Sequence, residues 1–121
     1  MGSKKADIQA RTKDFALSIL RLYALLPHRD EVRTIGRQMI RSGTSVGANI
    51  REGKRARSDA EMLSKIEVAL QELEETRYWL ELLEEFGAVE KDRTAGISGE
   101  ARELTAILVT SCKTLRTRVS G

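Results

Sequence analysis

One histidine, one cysteine and one proline are all that 121 residues contain of those types, and aromatic side chains make up only 4%. Each scarcity excludes something. A structural or catalytic zinc site needs several Cys or His ligands, which His28 and Cys112 together do not supply. A lone cysteine closes no internal disulfide, which suits a reducing cytoplasm. As a nucleophile it has no activating base at hand in the sequence, since His28 follows Pro27 in a connecting loop. Cys112 is therefore expected to pack inside a helix, as free cysteines do. Nowhere do about 18 consecutive apolar residues occur, so no membrane-spanning helix is expected. The opening Met1-Gly2-Ser3-Lys4-Lys5 leads into no uninterrupted apolar stretch, and no signal peptide is expected. Walker spacing is missing too: Gly43-Thr44-Ser45-Val46-Gly47 has no lysine where a phosphate loop needs one. Paired acids such as Glu74-Glu75 and Glu84-Glu85 read as solvated helix surface, and no Glu-x-x-His pair suggests a di-iron centre. No enzyme and no cofactor are expected.

What is present is 32% charged and 40% hydrophobic sequence, rich in Ala, Leu, Glu and Arg, the makings of long helices. Apolar residues return every three or four positions. They run through Ile8, Phe15, Ile19, Leu22 and Leu26, then Val32, Ile35, Met39, Val46 and Ile50. A third set is Met62, Ile66, Leu73, Leu80 and Leu83, and a fourth is Ala101, Leu104, Leu108 and Leu115. Pro27 closes the first stripe and Asp30 is expected to cap the second. Ser58 or Asp59 caps the third, and Gly87 ends it. The last begins at Asp92 or at Ser98. The spacing thus predicts helices over about 7–26, 30–57, 59–86 and 92–119. Together they form a single all-α domain over 1–121, an up-down-up-down four-helix bundle.

The second helix is crowded with small residues: Gly36, Ser42, Gly43, Ser45, Gly47, Ala48 and Gly53. A helical glycine costs about 1 kcal/mol relative to alanine, so several call for a reason. Either a neighbouring backbone approaches closely, or the helix breaks near Ser42 to Ser45.

The net charge of +3 conceals segregation. Residues 1–57 hold thirteen Lys or Arg against five Asp or Glu, residues 58–90 two against ten, and residues 91–121 six against three. On a helix of about 100° per residue, Arg33, Arg37, Arg41, Arg51 and Arg55 fall within an arc of roughly 80°. Lys54 extends the basic character at the helix end. Two readings stay open. In one, the arginines pair with the acidic third helix, whose Glu67, Glu74 and Glu81 recur at heptad spacing, within or between subunits. In the other they meet phosphates, for which the arginine fork is suited; Arg37→Glu with Arg41→Glu should then abolish binding.

The stretch Arg41-Ser42-Gly43-Thr44-Ser45-Val46-Gly47-Ala48-Asn49-Ile50-Arg51-Glu52-Gly53 resembles the signature of the small four-helix-bundle proteins encoded by intervening sequences of bacterial 23S ribosomal RNA genes. The likeness continues through Ser58-Asp59-Ala60-Glu61-Met62-Leu63-Ser64-Lys65-Ile66 and Glu72-Leu73-Glu74. It implies a cytoplasmic bundle that assembles into a ring, commonly a pentamer. It further implies kinship with the accessory protein of diversity-generating retroelements, a basic barrel that binds nucleic acid and a reverse transcriptase. Arg51 stands where such proteins often have alanine. Beside this resemblance, Asn49 lies between the apolar arc and the arginines, where it is expected to reach a buried backbone or neighbouring helix.

The expected function is therefore a non-enzymatic homo-oligomer with a basic face that binds RNA or DNA without sequence preference. Arg33, Arg37, Arg41, Arg51, Lys54 and Arg55 are the expected nucleic-acid contacts, and Ser42, Ser45, Asn49, Glu52 and Gly53 the expected motif or interface residues. The alternative is a purely structural adaptor for a protein such as a reverse transcriptase.

Overall fold

A computed structural model describes residues 7–121, and the Met1–Lys5 stretch lies outside the described residues. The described chain is four helices: α1 Ile8–Leu25, α2 Asp30–Lys54, α3 Asp59–Phe86 and α4 Lys91–Ser120. Each packs on its sequence neighbours, α4 returns to α1, and the backbones of the diagonal pairs do not approach closely. Connections of only a few residues force neighbours to run antiparallel, which makes a four-helix bundle.

Local chemistry sets the ends. The Asp7 carboxylate accepts from the Ala10 N–H at 3.1 Å and starts α1. The Ser58 hydroxyl accepts from the Glu61 N–H at 3.1 Å and starts α3. Gly87, at φ +87°, ends α3, with the Ala88 N–H reaching back to the Leu83 carbonyl at 2.9 Å and the Gly87 N–H to Glu84 at 3.1 Å.

Three boundaries differ from the sequence reading. The cap of α2 is Arg29 in an extended conformation (φ −121°, ψ 140°), not Asp30, which is the first helical residue and places its charge in the first turn. At the other end α2 stops at Lys54. The Arg55 and Ala56 N–H groups bond back three residues, to Glu52 and Gly53, and tighten the chain into a turn before the expected position 57. α4 starts at Lys91, ahead of both Asp92 and Ser98. Thr94 is fully buried there, its hydroxyl donating to the Glu84 carboxylate of α3, and this tertiary anchor offsets the weakness of Gly96 and Gly99.

The core is aliphatic. Ile19, Met39, Leu73 and Leu104 are fully buried, and Phe15 is the one aromatic ring among the fully enclosed residues. Cys112 lies in this core, and burial pushes its thiol up from the ordinary range. A buried, protonated thiol is an apolar packing group.

Candidate functional site

The second helix meets α1 along its glycines. A Cβ on Gly36 would stand 2.8 Å from the Tyr23 ring, one on Gly43 3.0 Å from Ile19, and one on Gly47 3.3 Å from the Thr12 carbonyl oxygen. Gly53 faces α3, 3.4 Å from the Lys65 Cβ by the same measure. The helix runs unbroken from Asp30 to Lys54, so close approach rather than a break accounts for the small residues. Opposite them, Ser42 is fully buried and accepts from the Thr76 hydroxyl of α3 at 2.7 Å, while its own proton is directed to the Met39 carbonyl at 3.3 Å. The Thr76 hydroxyl also lies 2.8 Å from the Glu72 carbonyl of its own helix, so the two hydroxyls form a buried, fully satisfied polar link between α2 and α3.

The other motif residues are placed differently. The Ser45 hydroxyl donates to the Arg41 carbonyl at 2.6 Å, and Asn49, half-buried, donates to the Ser45 carbonyl at 2.9 Å. Asn49 thus bonds within its own helix and not across to a neighbour. The carbonyl one turn back satisfies its amide locally, as short polar side chains in helices often do. Glu52 reaches Lys65 of α3 at 2.7 Å. Thr12, Ala16, Gly47 and Ala48 line a surface cleft of about 440 Å³ between α1 and α2, with Lys13 and Arg51 at its edges.

The arginine stripe does not act as one unit. Arg41 leaves it for α3, where its guanidinium meets Glu75 at 2.5 Å and Glu72 at 3.2 Å. The hydrogen bond to Glu75 is the main cause that raises the Arg41 pKa, and the same bond holds the Glu75 carboxyl below its ordinary range. Arg33 lies over the Tyr23 ring, 4.6 Å from its centroid, with its guanidinium 3.3 Å from His28 Nδ1. Arg37 is exposed, donates to the Thr34 hydroxyl at 3.5 Å and belongs to no ion pair among the described residues. Arg51, Lys54 and Arg55 are exposed and belong to no ion pair among the described residues.

Pairing of the α2 arginines with the heptad glutamates is not found among the described residues. Glu67 pairs with Arg116 of α4 at 3.0 Å and Glu74 with Arg77 of its own helix at 3.5 Å. Helix angle is the reason: Glu67 points toward α4 and Glu74 and Glu81 toward solvent, whereas Glu72 and Glu75 lie on the side that faces α2.

One ionic cluster was not legible as such. Arg11, only 8% exposed, forks onto Glu100 at 2.6 and 3.0 Å and reaches Glu103 at 2.9 Å, joining α1 to α4. Its hydrogen bonds to Glu100 are the main cause that raises its pKa. The available signal was position, because Arg11 stands one turn before Phe15 on the inward side of α1. Among the described residues no group of three or more His, Cys, Asp or Glu is placed to hold a metal ion, and no helix is long and apolar enough to cross a membrane.

The family model described as 23S rRNA-intervening sequence protein matches residues 4–110. The chain belongs to that family. Within reach of the same assignment is a solved structure from Bacteroides thetaiotaomicron, described as a protein with unknown function from the S23 ribosomal protein family. It is 35% identical, with a TM-score of 0.81 over 87% of this chain and 97% of that one. No curated protein matches. Neither the family's description nor that of the solved relative names an activity. Family membership therefore agrees with the sequence resemblance and with the four-helix architecture, and leaves function to the surface.

Proposed function

We propose that this member of the family is a non-enzymatic homo-oligomer, ring-shaped and pentameric as the family resemblance implies, whose basic face binds RNA or DNA without sequence preference. The observation that carries the nucleic-acid reading is the set Arg37, Arg51, Lys54 and Arg55. These cations are exposed, lie toward one face of α2 and its C-terminal end, and have no carboxylate within ion-pair distance among the described residues. Arg41 is different, because Glu72 and Glu75 already neutralise it. Unpaired arginines on a rigid helix suit phosphate contact without base readout. Repetition around a ring multiplies contacts that are weak singly.

The test is fluorescence anisotropy with single- and double-stranded RNA and DNA at about 50 and about 200 mM salt, since each phosphate contact on duplex DNA contributes about −0.9 to the slope of log affinity against log salt. Arg37→Glu with Arg51→Glu should reduce affinity and flatten that slope on every sequence. Arg41 is omitted because a glutamate there would repel α3 and confound binding with folding. Parent and double variant binding equally, or a parent that binds nothing at low salt, would remove this reading.

A further inference from the structure

The outward face of α3 carries apolar side chains that the bundle covers only in part, through Arg29 over the Phe86 ring and Trp79 against Tyr78. Tyr78, Leu82 and Phe86 follow at four-residue intervals and so form one stripe. Tyr78 is 53% and Phe86 56% exposed, in a chain where aromatics are scarce. At its lower end this stripe runs into a hollow of about 170 Å³, where Phe86, Leu82 and Leu83 meet Val32 and Ile35 of α2. Glu81 and Glu85 flank the stripe, both exposed and in no ion pair among the described residues.

The diagonal helix carries a counterpart. On the outward face of α1, Leu17 is 36% and Leu20 43% exposed. Lys13 and Arg21 stand one turn before and one turn after Leu17 on the same face, exposed and again in no ion pair among the described residues. Of the acids nearby, Asp14 lines a crevice toward α4 with Arg11 and Gly96, and Glu52 lines the cleft toward α2 with Lys13 and is paired with Lys65. One face is therefore apolar with a mainly basic border and the other apolar with a mainly acidic one, the Arg29 guanidinium that lies over the Phe86 ring being paired with Glu31, and α1 and α3 lie at opposite corners of the bundle.

We propose that the α1 leucine ridge of one copy docks on the α3 tyrosine–phenylalanine stripe of the next. This rests on the homo-oligomer reading and names its contact. Opposite borders, Lys13 and Arg21 against Glu81 and Glu85, favour a second copy of this chain over nucleic acid on the α3 stripe, because those carboxylates repel phosphate. Two different faces make the contact head-to-tail, the arrangement that closes into a ring when the rotation allows.

Light scattering on gel-filtered protein tests it with three samples: the parent, Tyr78→Glu with Phe86→Glu, and Leu17→Glu with Leu20→Glu. All four positions are exposed, and circular dichroism with a thermal melt checks that the variants fold. Tyr78→Ser with Phe86→Ser removes the apolar area without added charge and is expected to act alike. The expected result is an oligomeric parent, two monomeric variants, and a dimer when the variants are mixed, since each then supplies the face the other lacks. A monomeric parent overturns the homo-oligomer reading and this contact with it. An oligomeric parent whose variants stay oligomeric overturns only the contact and assigns these faces to another partner. If both variants are monomeric and remain so on mixing at high concentration, the contact is not head-to-tail.

Discussion

The second and fourth helices both carry glycines, and their glycines mean opposite things. In α2, every interior glycine is pressed against a neighbouring helix: Gly36 and Gly43 meet side chains of α1, and Gly47 meets its backbone. In α4, Gly96 has nothing within 4 Å of where a Cβ would stand. The seams follow suit. Where α2 meets α1 and α3, helices come close and the contact is made by small residues, aliphatics and one buried hydroxyl pair. Where α4 returns to α1, the packing is thinner and a buried arginine with two glutamates fills the space. Close approach thus leaves charged side chains only at the exposed edges of the α2–α3 seam, as with Arg41 on Glu72 and Glu75 and Glu52 on Lys65, while the wider seam admits a nearly buried arginine whose charge is then matched.

The largest expected effect tests the wide seam. Glu100→Ala leaves the Arg11 guanidinium buried with only Glu103 to meet it, and should cost about 2–3 kcal/mol in urea unfolding. A loss below about 0.5 kcal/mol would mean that the cluster is not what holds α1 to α4. Next comes the tight seam. Gly43→Val places branched carbons against fully buried Ile19 and should cost about 2 kcal/mol by the same measurement, the usual scale of overpacking. Stabilisation instead would show that the helices are freer to part than the contact implies. The contrast between the two helices is sharpest at Gly96→Ala, which should stabilise by about 0.5–1 kcal/mol through helix propensity alone. A lowered melting temperature there would show that the site is occupied, for example by another copy.

The smallest effect concerns Arg41. Its hydrogen bond depresses the Glu75 carboxyl, so the pair contributes stability above the unfolded carboxyl pKa of about 4.3 and loses it as pH falls through the lower folded value. Glu75 and Arg41 are both over a third exposed, so solvent screening limits the contribution to about 0.5 kcal/mol or less. A urea titration between neutral pH and acid should show that increment in the parent and not in Glu75→Gln. Equal acid sensitivity in both proteins would assign it to other carboxylates.

The apolar periodicity was enough to read four helices, and the motif from Arg41 to Gly53 was enough to read the family, because both are local patterns along one chain. Caps were legible where a side chain makes them, as at Ser58, and not at Arg29 or Glu90, where neighbouring packing holds the helix end without one. The arginine stripe was legible as an arc but not as a mixture of engaged and free cations. Which carboxylates face it depends on how α3 is rotated about its axis, and that rotation put Glu72 and Glu75 on α2 in place of the heptad glutamates. Arg11 was missed because its partners lie about ninety positions further along the chain.

By itself the sequence determined the all-α class, the four apolar stripes and the segregation of charge, since each depends only on residue type and helical period. Only the tertiary structure decided what the glycines are for, which arginine is neutralised and which are left to solvent, and that apolar stripes remain outside on α1 and α3. Those are properties of distances between helices, and a single helix's periodicity contains no information about the surface that comes to lie against it.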